Sequence, residues 1–166
     1  YYLYTYGQLV RRQEIKLGDQ INFSVPTGNF GDILAGYYAK KLGLPIKKLI
    51  CASNENNVLT DFFKNGEYDR RRKFHLTNAP AMDILVSSNL ERLLFDLYDG
   101  DHQQINSLMN QLTQRGHYHI SDDILSKLQD IFAADFATER QVVKEINRIY
   151  NYDRYVIDPH TAVDSY

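Results

Sequence analysis

Apolar side chains recur at helix or strand spacing along most of the chain, and the runs break at glycine, proline and amide-rich positions. Tyr1, Tyr2, Leu3, Tyr4, Tyr6, Leu9 and Val10 form an aromatic opening that predicts the second half of a buried helix. Lys16-Leu17-Gly18-Asp19 reads as a turn, and Ile21-Asn22-Phe23-Ser24-Val25 alternates as a strand does before Pro26 and Gly28 break it. A helical pattern follows from about Asp32 to Leu42, carrying Ile33, Leu34, Tyr37 and Leu42, with Gly43 in its C-cap region. Pro45 ends that unit, and Lys48 to Ala52 reads as a second strand. Strand, helix and strand within Ile21–Ala52 make one βαβ unit, which requires parallel pairing and a right-handed crossover.

The second half is mainly helical in pattern. A short helix is expected from Asn57 to Phe63, closing near Gly66, followed by a polar loop from Glu67 to Pro80. Leu90, Leu93, Leu94 and Leu97 define a helix that Ser87-Ser88-Asn89 could cap. Ile105, Leu108, Met109 and Leu112 define another, stopping near Gly116. Two more run from Ile124 to Ala133, opened by Ser121-Asp122-Asp123, and from about Thr138 to Tyr150. Arg154 to Ile157 reads as the last strand, followed by a loop around Pro159. The expectation is therefore a single partial α/β domain over 1–166, in which 98–150 is a mostly helical insertion.

Composition narrows the partners. The chain has 166 residues and a formal net charge of -2, with 19 basic against 21 acidic side chains. No basic excess is available to grip a phosphate backbone, so nucleic acid is not an expected partner. A single cysteine, Cys51, excludes an internal disulfide and fits a reducing, cytoplasmic setting. No run approaches the ~18 apolar residues of a membrane helix, so no membrane is expected either. The opening has no methionine and no basic n-region, and the chain stops just after a strand pattern, so we expect a piece of something larger.

The segment richest in chemistry is Ser24-Val25-Pro26-Thr27-Gly28-Asn29-Phe30-Gly31-Asp32, placed between a strand and a helix N-terminus. Unpaired N–H groups and the helix dipole there favour a phosphate, and Gly28 and Gly31 permit close approach and positive φ. The glycine spacing makes neither a P-loop nor a dinucleotide fingerprint, and two glycines could equally serve only a tight turn. Asp32 would repel a bound phosphate, so its side chain is expected to turn away and cap the helix. Arg70-Arg71-Arg72-Lys73 reads as solvated charge in a polar loop. His117 and His119 could share a face if extended, but no third ligand appears at metal spacing and a loop between helices is the expectation.

Four strings in order resemble threonine synthases. They are Val25 to Lys41 (VPTGNFGDILAGYYAKK), Asn54 to Phe62 (NENNVLTDF), Ala81-Met82-Asp83-Ile84 with Val86 to Phe95 (VSSNLERLLF), and Ile157 to Val163 (IDPHTAV). That resemblance implies a parallel-sheet, three-layer domain of the tryptophan-synthase-β-like (type II pyridoxal-phosphate) fold. It also implies a lyase that uses pyridoxal 5'-phosphate to convert O-phosphohomoserine and water to threonine and phosphate. By the same resemblance Gly28, Asn29, Phe30 and Gly31 would hold the cofactor phosphate through backbone N–H groups. Thr161 would set its hydroxyl against the pyridine nitrogen as a neutral partner, leaving the ring free of any need for full protonation. Read from the residues alone, His160 and Thr161 could simply form a loop around Pro159, and His160 stays open. Ser87, Ser88, Asn89 and Arg92 are candidates for the substrate phosphate, or only a helix cap and a surface arginine.

The family's Schiff-base lysine follows a phenylalanine upstream of the phosphate loop. Phe63-Lys64 lies downstream of it, so none of the nine lysines is assigned that role and the isolated chain is expected to be inactive. An alternative is a truncated, non-catalytic relative that binds a phosphorylated metabolite. The tyrosine-rich opening would leave a half-interface exposed and favour self-association.

Overall fold

The computed structural model describes all residues, Tyr1–Tyr166. Helix α1 (Tyr2–Arg11) leads through a turn into strand β1 (Ile21–Pro26), helix α2 (Gly31–Lys41) and strand β2 (Ile46–Ser53). Helix α3 (Val58–Asn65) is followed by strand β3 (Glu67–Asp69), a 3₁₀ turn at Pro80–Met82, helix α4 (Leu90–Leu97) and helix α5 (His102–Arg115). Strand β4 (His117–His119), helix α6 (Asp122–Ile131), strand β5 (Phe132–Phe136), helix α7 (Glu139–Asp153) and helix α8 (Pro159–Ser165) complete the chain.

The main sheet has strand order β1-β2-β5, all parallel, with Val25 opposite Cys51 and Leu49 opposite Phe132. Alternation along these strands divides their side chains between two faces. On one face Val25, Leu49, Cys51 and Phe132 pack with Ile33, Leu34 and Tyr37 of α2, Leu59, Phe62 and Phe63 of α3, and Ile124 and Leu128 of α6. On the other, Ala52 packs with Val142 of α7 and Ala162 and Val163 of α8. Helices on both faces of a parallel sheet make the three expected layers. Gly36 lets α1 lie on α2, because a Cβ there would stand 2.8 Å from the Tyr2 ring and 2.9 Å from Leu49.

Four assignments change. The helix expected to reach Ala133 ends at Ile131, and Phe132–Phe136 is the third sheet strand, inside the mostly helical stretch 98–150. Alanine favours helix in isolation, but pairing with β2 and the burial of Phe132 against Phe63 at 5.2 Å override that preference. Arg154 to Ile157 is not a strand: Arg154 is the left-handed C-cap of α7 at φ 55°, and Tyr155 and Val156 are exposed with no neighbouring strand to pair. Finally, Glu67–Asp69 and His117–His119 are not loops but pair antiparallel, Tyr68 stacking on Tyr118 with centroids 5.3 Å apart. Three-residue strands carry too little pattern to be recognised alone; the buried tyrosine pair holds this one together. Pro159 begins a helix where a loop was expected.

Candidate functional site

The turn after β1 leaves backbone donors free at a helix start. Thr27 closes the strand, donating its N–H to the Ala52 carbonyl at 2.8 Å and its hydroxyl to the Val25 carbonyl at 2.7 Å. The next three N–H groups, of Gly28, Asn29 and Phe30, donate to no protein acceptor, and α2 starts at Gly31. A small cavity lies over residues 26–33. Bare N–H groups at the positive end of a helix are the chemistry that suits an anion, and this turn could serve as a phosphate cradle. The Gly31 N–H is already bonded to Asn29 Oδ1 at 3.1 Å, so Asn29 shapes the turn with its side chain.

Positive φ was expected at the glycines but falls on Phe30, at φ 69°. Its ring, 1% exposed, lies against Phe63 and Phe132 at centroid distances of 5.9 and 5.8 Å, and this packing anchors the left-handed turn. Gly28 is required for space instead: a Cβ there would stand 2.5 Å from the Ala81 carbonyl oxygen. Asp32 turns away from the cradle, as expected, but does not cap the helix; Tyr2 donates its hydroxyl to Asp32 Oδ1 at 3.0 Å. Burial and the Asp32 carboxylate push the Tyr2 phenol well above its ordinary range.

The loop is braced from behind. Ser87 donates its hydroxyl to the Gly28 carbonyl at 2.9 Å, and its N–H is bonded to the Tyr68 hydroxyl at 2.8 Å. Burial pushes that Tyr68 phenol up to about 12, keeping it a neutral donor to the Leu85 carbonyl. Asn89 stands at the N-cap position of α4 without capping it; its N–H and its Nδ2 both donate to the Asn29 carbonyl, at 3.1 and 2.9 Å.

The second part of the site is the start of α8. Asp158 caps it through the N–H groups of His160 and Thr161, and the Thr161 hydroxyl donates to Asp158 Oδ2 at 2.6 Å. Those hydrogen bonds, the Thr161 hydroxyl foremost, hold the Asp158 carboxyl down at about 2. His160 lies between Asp158 Oδ1, 3.2 Å from its Nδ1, and the Ala81 N–H, which donates to its Nε2 at 3.3 Å. The proton therefore sits on Nδ1, and His160 links the α8 start to the same Ala81 that backs Gly28.

The other candidates lie elsewhere. Ser88 is exposed and bonds to nothing on the phosphate loop, and Arg92 points into a groove of about 520 Å³ bounded by Tyr38, Phe95, Ile105 and Met109. Lys64 is exposed and pairs with Asp135 at 3.2 Å. The arginine cluster is bound into the fold: Arg72 reaches Asp61 at 2.7 Å and Arg71 reaches Asp69 at 2.9 Å. His117 and His119 flank Tyr118 on β4, and no group of three metal-ligating side chains is present. Sequence reasoning missed Ala81 and Asp158. The second had a signal, since Asp followed by Pro opens a helix.

The three-layer parallel domain, with unpartnered N–H groups on its first βα turn, has the type II pyridoxal-phosphate fold of its structural neighbours. No family model matches the chain. It is 47% identical over 164 residues to human threonine synthase-like 1, covering 98% of this chain and 22% of that protein. It is 40% identical over 176 residues to the threonine synthase of Saccharomyces cerevisiae, covering 98% and 34%. The solved pyridoxal-phosphate-bound threonine synthase of Brucella melitensis matches 99% of the chain at TM-score 0.91 and 38% identity, over 35% of its own length. The yeast enzyme's structure matches 99% of the chain at TM-score 0.92 and 39% identity. The chain belongs to the threonine synthase family, and it spans about a fifth to a third of the length of these relatives. No helix is long and apolar enough to cross a membrane.

Proposed function

We propose that this chain forms the cofactor-phosphate and pyridine-nitrogen contacts of a pyridoxal-phosphate-dependent threonine synthase, a lyase that converts O-phosphohomoserine and water to threonine and phosphate. The observation that carries the reading is the run of three unpartnered N–H groups, Gly28 to Phe30, at the N-terminus of α2. Bound pyridoxal phosphate supplies an electron sink for chemistry at the substrate's α and β carbons. The residues here hold and orient it. Gly28, Asn29 and Phe30 would bind its phosphate, Gly31 would hold the turn through Asn29, and Thr161 would meet the ring nitrogen. Asn89 stands beside the cradle and suits the substrate phosphate better than Ser88 or Arg92 does. The Schiff-base lysine would come from outside these residues, so the isolated chain should be inactive.

The test is a pyridoxal-phosphate titration followed by backbone amide chemical shifts. Shifts at Gly28 to Gly31 without an aldimine absorbance support the reading; a borohydride-trapped lysine within the chain overturns the inactivity. A second reading rests on names: relatives at 46–48% identity are called threonine synthase-like 1. Under it the same cradle binds a phosphorylated metabolite without catalysis, and a phosphate monoester would displace the cofactor from residues 28–31. Exposed Tyr1, with Leu3 and Tyr4 of α1, supports self-association of the chain, and light scattering giving a monodisperse monomer would refute it.

A further inference from the structure

A cavity of about 520 Å³ lies on the sheet face covered by α7 and α8. Ile50, Ala52 and Val163 give it an apolar floor, and Phe136 and Tyr166, both solvent-exposed, also line it. No lysine, arginine or histidine does. Its half-buried carboxylate, Asp164, has one side-chain partner, the Ser24 hydroxyl, which donates to Oδ1. Asp135, at the same cavity, is already paired with Lys64 at 3.2 Å. Gln141 is also committed: its Oε1 accepts the Thr138 N–H at 2.7 Å, and its Nε2 donates to the Tyr166 hydroxyl at 2.8 Å. The acceptor left over is Asp164 Oδ2.

A carboxylate drawn out of water without a cation costs free energy that a cation at the same place would recover. Burial accordingly lifts the Asp164 carboxyl above its usual range, the Ser24 hydroxyl offsetting part of the effect. A metal ion would need about six oxygen ligands and would leave the apolar floor bare. An ammonium on an aliphatic arm meets both halves of the lining. Its N–H donors and charge suit Asp164, its methylenes suit Ile50, Ala52 and Val163, and aromatic rings attract its positive end. We propose that this cavity is a binding site for a primary ammonium group on an aliphatic arm, held by Asp164 over the floor of Ile50, Ala52 and Val163. The site needs neither the cofactor nor the turn at residues 28–31. The arm has two sources: a free alkylamine, or a lysine side chain from polypeptide outside these residues, which span about a fifth to a third of the relatives.

The probe is n-butylammonium, titrated into the chain while backbone amide shifts are followed, with sodium butyrate and sodium chloride as controls for the arm and for salt. The expected result is saturable shifts at Ile50, Ala52, Val163 and Asp164 with butylammonium alone. Asp164→Asn should weaken binding by about tenfold or more, the worth of one hydrogen bond to a charged group, while Asp164→Glu retains it. The thermal midpoint of Asp164→Asn should not fall, since the substitution removes an unpaired charge. Shifts that do not saturate, that appear equally with butyrate, or that survive unchanged in Asp164→Asn overturn the proposal. The same titration in a longer polypeptide carrying this segment separates the two sources. Shifts in the cavity identify a free amine as the ligand. A cavity closed to butylammonium, with Asp164 joined by a carbodiimide to a lysine outside residues 1–166, identifies a lysine side chain. A closed cavity without that cross-link overturns the proposal.

Discussion

The Cα of Gly28 and the carbonyl oxygen of Ala81 are in such close register that a Cβ on Gly28 would stand 2.5 Å from that oxygen and 3.3 Å from the Met82 Cα. The two residues are far apart in sequence, yet the turn at Pro80–Met82 forms the back wall of the phosphate loop. His160 reaches the same turn from the opposite side, through the Ala81 N–H at 3.3 Å. One short backbone segment therefore couples the two halves of the site.

Substituting Gly28→Ala forces backbone against backbone, since no flexible side chain can give way. The expected cost is about 1–3 kcal/mol of stability, as for overpacking elsewhere, together with weakened cofactor binding because the loop is pushed off the wall. Urea midpoints and pyridoxal-phosphate titrations of the variant check both. An unchanged affinity would mean that the wall does not set the cradle.

Phe30 allows a prediction of sign. Phe30→Ala removes the ring from between Phe63 and Phe132 and should cost about 3–5 kcal/mol. Phe30→Gly removes the same ring but accepts φ 69° without the ~1 kcal/mol that an alanine bears there. The glycine variant should be the more stable of the two in chemical denaturation, against the usual ranking. The reverse order would show that the turn relaxes once the ring is gone.

The βαβ unit, the tight turn between β1 and α2 and the helices α4 and α5 were legible because strand, helix and breaker patterns are clear there, with Gly43, Gly66 and Gly116 closing helices or turns at positive φ. Strand β5 was not, because Phe132-Ala133-Ala134 carries a helical preference that only pairing with β2 defeats. The αL residue was assigned to the glycines because a phenylalanine can hold that geometry only when its ring is anchored, and the anchors, Phe63 and Phe132, are distant in sequence. Asp158 was legible as a helix opener before Pro159, while its bond to the Thr161 hydroxyl and its link through His160 to Ala81 are visible only in three dimensions.

Asp83 ties the wall to the sheet. Its Oδ1 accepts from Asn54 Nδ2 at 2.7 Å, Asn56 Nδ2 at 3.0 Å and the Thr77 hydroxyl at 2.8 Å, and its Oδ2 accepts the Thr77 N–H at 2.9 Å. Asn54 and Asn56 are buried just beyond β2. Asp83→Ala removes one acceptor from each amide, leaving Asn54 Nδ2 its bond to the Thr77 hydroxyl at 2.9 Å and Asn56 Nδ2 its bond to the His75 carbonyl at 2.8 Å, and each lost hydrogen bond costs about 0.5–1.5 kcal/mol. The variant should lose at least ~2 kcal/mol in urea melts and should bind pyridoxal phosphate more weakly, as Ala81 loosens. Loss of stability with unchanged affinity would separate the wall from the cradle.

Acid should weaken the α8 start through Asp158. Its carboxyl is held at about 2 by the Thr161 hydroxyl and the N–H groups it caps, below the 3.8 of an unperturbed aspartate. A depressed pKa means that the folded state prefers the ionised form, so the contribution is fully present above about pH 4 and is lost as pH falls toward 2. Asp69, held at about 2 by Arg71, loses its contribution in the same window. Asp164 acts in the opposite direction: burial raises its carboxyl, so its protonation relieves the folded state as pH falls. Comparing the parent with Asp158→Ser isolates one residue, because Asp69 and Asp164 are common to both. The parent's stability advantage, measured by thermal melts at stepped pH, should be constant near neutrality and shrink below about pH 4. An advantage that persists unchanged to pH 2 would mean that Asp158 stabilises α8 without its charge, and that the hydroxyl of Thr161 is not held by an ionised partner.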